Sequence, residues 1–233
     1  MIGEYTKRAR IYPSIFAMLM PALLTIFFLY KELSSLYPNW AVAIRLLTVI
    51  VPVTLVYSVI GFFMRETFRS TSKMLFQFPL FKEDETKMPT TRMLLLKDKI
   101  LDPKSKKHLR ELIKTKCGIT LYGEKYESEN PDLAAKAIVN AVGVIRNLTR
   151  EDKILLQYNY EFGFARNYLG ASIWAFAIII GIGFVVWVTD SPHIEYIYIA
   201  LAIQLLLAVF YFVSLKYRAN AYARQLFASF ETL

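Results

Sequence analysis

"YNYEFGFARNYLGASIWAFA", Tyr158 to Ala177, changes character half-way along. Its first half carries Asn159, Glu161, Arg166 and Asn167 among aromatic rings. Its second half is apolar, and the run from Tyr168 to Thr189 contains no charged residue. An uncharged helical run of this length crosses a hydrocarbon core of ~30 Å, which needs roughly 20 residues. The chain therefore places its last charged and amide side chains directly against a membrane-grade segment.

The rest of the chain repeats the pattern. Ile11 to Tyr30 carries no charge, Ala41 to Met64 only Arg45, and Ile194 to Leu215 only Glu195. Helices of a soluble core are shorter and keep a polar face. Of the 233 residues, 55% are hydrophobic, and they come in blocks rather than in alternation. The expected fold is an all-α membrane protein with two transmembrane hairpins. Residues 1–64 hold the first (spans 11–30 and 41–64) and residues 168–215 the second (spans 168–189 and 194–215). A mainly helical domain at 65–167 lies between them, and a short tail follows at 216–233. Lys7, Arg8 and Arg10 precede the first block as in a signal peptide, but the run is long and no small-x-small site follows it, so a retained helix is expected. Pro13, Pro21 and Pro52 within the blocks are tolerated where neighbouring helices satisfy the freed carbonyls.

Charge sets the expected orientation. Residues 65–167 hold twenty Lys/Arg against fourteen Asp/Glu, a net of +6, and the N-terminal ten residues hold three basic residues. The short connections after the first and third blocks hold only Lys31, Glu32 and Asp190. The excess of basic residues near membrane ends places both termini and the 65–167 domain in the cytoplasm. The single cysteine, Cys117, falls on that side, where a reduced thiol is at home.

Within 65–167 the punctuation is helical. Asp102 caps, Pro103 opens and Gly118 closes a lysine-rich helix whose apolar stripe is Leu109, Leu112 and Ile113. Asn130 and Pro131 open a second helix with Leu133, Ile138, Ala141, Val142 and Ile145 on one face. Thr149 caps a third, with Asp152 three residues on, and no breaker follows before Gly163, so this helix runs on toward the membrane. Thr90 or Thr91 is expected to cap a helix through Leu94–Leu96, and "GITLYGEKY" reads as a hairpin or an irregular loop.

Chemistry is sparse. The two histidines, His108 and His193, fall on opposite sides of the membrane, no ligand cluster has metal spacing, and no phosphate loop or nucleophile motif is present. Neither an enzyme nor a cofactor is expected. The strongest polar feature is the basic helix, where Lys104, Lys106, Lys107, Arg110 and Lys114 are the candidate residues for an anionic ligand, a nucleotide or an oligonucleotide. A solvated face or an anchor to anionic headgroups is the competing reading. Tyr122 and Tyr126 are aromatics near enough to stack bases. Gln204 and Arg45 are the polar residues inside the spans, read as interhelical glue and as a boundary cation. In the opening stretch Asn159, Gly163, Arg166 and Gly170 share a helical face. Small residues beside an arginine admit a neighbouring backbone, so Asn159, Glu161 and Arg166 read as a coupling joint between domain and membrane, with a partner for Arg166 on another subunit.

This layout, two hairpins around a basic helical insert with "YNYEFGFARN" at the joint, resembles small membrane effectors of bacterial antiphage defence. It is similar to the four-helix membrane subunit of Hailong-type systems (HalB), and the Kiwa membrane subunit (KwaA) is a rival match. The resemblance covers the chain by architecture. It implies a homo-oligomer in the bacterial inner membrane, multi-pass with both termini cytoplasmic, acting as an effector or channel gated by a cytosolic nucleotide or oligonucleotide. It further implies a partner nucleotidyltransferase or other defence protein. The alternative is a non-conducting scaffold or sensor that recruits a cytosolic partner.

Overall fold

A computed structural model describes residues 3–233, and no strand occurs among them. Four helices are long and apolar enough to cross a membrane: α1 (Glu4–Leu36), α2 (Val42–Phe63), and two that are introduced below. Three short elements follow α2: α3 (Arg65–Ser72), α4 (Phe78–Phe81) and α5 (Pro89–Arg92). Then come α6 (Pro103–Cys117), α7 (Glu124–Glu129) and α8 (Pro131–Leu148), and finally the long α9 (Lys153–Val188) and α10 (Glu195–Glu231). The chain is a multi-pass membrane protein, and its exposed surface agrees. Leu47, Phe63, Leu206 and Val213 are each more than 60% exposed, as suits side chains that face lipid.

Two compact units divide the chain, one of residues 1–73 with 163–213 and the other of 74–162 with 214–233. The division differs from the expected domain limits in three places, the first being that residues 163–167 belong with the apolar helices. Helix α3 belongs with the apolar helices, and residues 214–231 are no loose tail. They are the last turns of α10, and Tyr222, Ala223, Leu226, Phe227 and Phe230 are buried in the core of the second unit. The reason lies in their 3–4 spacing, an apolar stripe that must be covered.

In the first unit, proline shapes α1. A π turn at Lys7–Ile11 precedes Pro13, and the helix breaks at Met18, three residues before Pro21. Proline withholds the N–H that the carbonyl four residues earlier would receive. For Pro13 that carbonyl is Ala9's, and the Asn167 side-chain amide donates to it at 2.5 Å. Helix α9 comes close enough because it has no side chains in the way. A Cβ on Gly163 would lie 2.8 Å from the Ala9 Cβ, and one on Gly170 would lie 1.9 Å from the Phe68 carbonyl oxygen. Ser72 Oγ donates to the Arg166 carbonyl on the same side. Below this contact Tyr168, Ala171 and Ala175 pack with Ala17, Met18 and Phe68.

In the second unit α6 and α8 pack against the end of α10. Leu109, Ile113, Ile138, Ala141, Val142 and Ile145 are buried together, whereas Leu133, expected on the same face, is 54% exposed in the first turn of α8. Asp102 caps α6, accepting from Lys104 N and Ser105 N at 2.9 and 3.0 Å, and Gly118 ends it at φ +68°. Three cap expectations are corrected. Asn130 stands at the cap position of α8 without a side-chain bond. Asp152, not Thr149, caps α9, accepting from Ile154 N and Leu155 N, while the Thr149 hydroxyl turns back to the Ile145 carbonyl. Asp is the stronger acceptor and lies next to the first helical residue, so it outcompetes the threonine. Helix α5 starts on Pro89 rather than Thr90 or Thr91 and ends at Arg92, because a proline supplies the preset φ. "GITLYGEKY" is an irregular segment leading into α7.

Gly170→Ala should therefore destabilise the protein sharply, since the new methyl meets backbone rather than a movable side chain. Overpacking costs typically 1–3 kcal/mol even where side chains give way. Gly181, with nothing within 4 Å of a built Cβ, is the control. Thermal unfolding in detergent should show a lowered midpoint for Gly170→Ala and none for Gly181→Ala.

Candidate functional site

The second unit contains a cavity of about 760 Å3, within the range of small-ligand sites. Its walls come from the 96–103 segment, α6, and residues 120 and 121. The segment 94–99 has no helix or strand to satisfy its backbone, so side chains do so. Lys106, only 3% exposed, donates its Nζ to the carbonyls of Leu95 at 2.6 Å, Leu96 at 3.3 Å and Asp98. Arg110 donates to the Leu94 carbonyl at 2.7 Å, to the Tyr122 carbonyl, and to Glu127 Oε1 at 2.8 Å. Glu127, also buried, accepts from Leu96 N at 2.8 Å. Burial pushes the Lys106 ammonium below its ordinary pKa, and the carboxylates of Asp98 and Glu127 oppose that shift.

Two of the five expected ligand residues, Lys106 and Arg110, are thus held by the protein's own carbonyls. Of the other three, Lys107 and Lys114 are exposed at the cavity, and Lys104 is exposed on α6 but does not line it. Two cations that the sequence reading passed over, Lys97 and Lys99, line it as well. Their signal was the "KDK" at 97–99, just ahead of the Asp102–Pro103 start. Three acids line it too: Asp98 pairs with Arg92 at 2.8 Å, Asp102 is the cap of α6, and Glu111 stands exposed among the lysines. Hydrogen bonding from Ser105 holds the Asp102 carboxyl below the usual carboxylate range, so it is ionised in its capping role. Tyr122 and Tyr126 stack on each other at 4.1 Å between centroids.

The opening stretch is distributed between the units. Asn159 and Glu161 fall in the second, where Glu161 faces Arg218 at 3.8 Å. Arg166 falls in the first, 8% exposed, with the Tyr5 hydroxyl as a hydrogen-bonding neighbour and the cations of Arg10 and Arg69 close by. A neighbour in its own chain therefore stands where a second subunit's group was expected. Gln204 is buried beside Tyr168, and Arg45 lies in the first turn of α2, at the end of its span. Among the described residues no three His, Cys, Asp or Glu side chains are grouped to hold a metal ion. His193 pairs with Glu195 at 2.9 Å, beside the start of α10.

No family model, characterised protein or solved structure matches the chain.

Lys106→Met should cost stability, because the Leu96 and Asp98 carbonyls lose this donor, at ~1–3 kcal/mol for each group left unsatisfied, while Leu95 O keeps the Asp98 N–H. Lys104→Met, on the same helix and exposed, should stay within ~0.5 kcal/mol of the parent. Chemical unfolding followed through the second unit distinguishes the two.

Proposed function

We propose that this chain is a homo-oligomeric membrane effector or channel, gated by an anionic nucleotide or oligonucleotide bound at the basic cavity of the second unit. The observation that carries the reading is the division of labour among its cations. Lys106 and Arg110 build the walls, and Lys97, Lys99, Lys107 and Lys114 stand exposed around the opening, in no ion pair among the described residues. Like charges gathered around a concave surface focus a field that attracts anions.

Continuity of the long helices supports a mechanical link. Leu109 and Ile113 of α6 share a core with Leu226, Phe227 and Phe230 of α10. Helix α10 is unbroken from Glu195 to Glu231, so its earlier turns lie in an apolar span. A ligand that shifts α6 by an ångström or two acts on the end of α10 with which α6 shares a core. The orientation proposed is that of the positive-inside rule, with the cavity and both termini cytoplasmic in a bacterial inner membrane. As in the antiphage effectors that the layout resembles, a partner nucleotidyltransferase would supply the ligand.

Lys97→Glu, Lys107→Glu and Lys114→Glu combined should abolish binding of a fluorescent oligonucleotide while Lys104→Glu retains it. Wild-type affinity should also fall steeply with salt, as counterion release requires. An affinity flat in salt, or equal in the triple variant, rejects the gated-effector reading and leaves a scaffold whose lysines are a solvated face.

The coupling role of Arg166 has its own test. A hydrogen bond to a charged group such as Arg166 is worth ~1.5–3 kcal/mol. Swinging a two-state gate from 1:99 to 99:1 takes ~5.5 kcal/mol. Arg166→Ala and Arg166→Lys should both alter ion leak in cells at equal protein level, because lysine lacks the planar fork. Full replacement by lysine reduces Arg166 to an anchor.

A further inference from the structure

We propose that Arg10, Arg65 and Arg69, gathered on Glu66, form a seat for the phosphate of an anionic phospholipid headgroup. Glu66 meets Arg10 at 3.2 Å, Arg65 at 3.8 Å and Arg69 at 3.3 Å. Arg166, nearly enclosed, is within electrostatic reach of Arg10 and Arg69, whose charges oppose its own. Three cations thus share one carboxylate, and a fourth, Arg166, adds to the charge at Arg10 and Arg69. The other nearby acid in α1, Glu4, is paired with Arg8 at 2.6 Å. Bringing guanidiniums together against their mutual repulsion is favourable when a second anion completes the group. A phosphate fits, since arginine presents paired donors at the spacing of its oxygens.

The level in the membrane selects a lipid. Arg10 immediately precedes the apolar run that starts at Ile11, Arg65 immediately follows the run that ends at Met64, and Arg166 lies two residues before Tyr168. These are the ends at which headgroups lie. Trp174, whose indole N–H donates to Thr71 at 3.2 Å, is an interfacial aromatic beside α3. Phe62 lies under the Arg65 guanidinium at 5.0 Å, and its neighbour Phe63 is 74% exposed. An acyl chain below a phosphate on Arg65 finds an apolar wall there, which a soluble anion does not use. Arg10, Arg65 and Arg69 are half-buried, so they are oriented and still reachable. Arg166, nearly enclosed, adds its field rather than a direct bond.

Native mass spectrometry of the detergent-purified protein tests this with phosphatidylglycerol against phosphatidylcholine of the same chains. The wild type should retain phosphatidylglycerol preferentially. Arg10→Gln with Arg69→Gln should lower that preference by roughly fivefold for each arginine removed. Lys7→Gln with Arg8→Gln removes the same charge from the same end of α1 and should change it far less. Arg10→Lys with Arg69→Lys keeps the charge, protects the fold, and should retain an intermediate preference. Millimolar inorganic phosphate should not displace the lipid. Equal retention of both lipids by the wild type overturns the proposal, even if the glutamine variants fail to fold. So does an equal loss in the Lys7/Arg8 variant, which makes the effect a diffuse field. Displacement of the lipid by inorganic phosphate overturns it too, since the site then serves a soluble anion.

Discussion

The bond from the Asn167 amide to the Ala9 carbonyl is the contact on which the apolar unit depends. Pro13 creates the need for it by removing the N–H that would close the helical turn on Ala9. Ala9 is fully buried, and a buried carbonyl without a donor costs ~1–3 kcal/mol, so Pro13 calls for a polar side chain from another helix. Asn167 supplies one, and it can do so only because α9 lies close. That closeness rests on Gly163 and Gly170, which bracket Asn167 and meet α1 and α3 respectively. One proline, one asparagine and two glycines, drawn from opposite ends of the chain, therefore set how α1, α3 and α9 pack.

The second unit solves the same problem with charge. The 94–99 segment has carbonyls to satisfy and no regular structure to do it. Lys106 and Arg110 reach them from consecutive turns of α6, and Glu127 closes the set from α7. A buried arginine–carboxylate pair contributes little net stability against apolar substitutes, but it specifies geometry when every donor finds an acceptor. The result is a shaped wall, and the same helix presents its exposed lysines at the cavity that this wall bounds.

How much of this could be read beforehand follows from how local each signal is. The four spans, the cap at Asp102 and the stop at Gly118 are legible because hydropathy blocks and Asp–Pro and Gly punctuation act within a few residues. The continuous run of α9 through Tyr158–Ala177 was legible for the same reason, since nothing in it breaks a helix. The fate of residues 216–231 was not. Their apolar stripe is plain in hindsight, but a stripe does not say which core receives it. Lys106 looked like its neighbours Lys104 and Lys107 because a sequence shows charge and not the carbonyls it meets. Asn167 stood in the quoted stretch and drew no role, because its partner is set by a proline 154 positions earlier.

A cation at the end of a helix can serve the fold, a ligand or the bilayer, and composition cannot separate these. The acceptors can. Lys106 and Arg110 spend their donors on carbonyls of their own chain and are structural, however basic their helix. Lys97, Lys99, Lys107 and Lys114 line a concave surface in the polar unit, with an acid nearby already taken by Arg92, so their field is directed at what enters. Arg10, Arg65 and Arg69 share a single carboxylate at the edge of the spans, where water thins and repulsion is less screened. An excess of positive charge is tolerable in the first setting because solvent screens it. In the second it requires a counter-charge, and the bilayer surface is the nearest source of one.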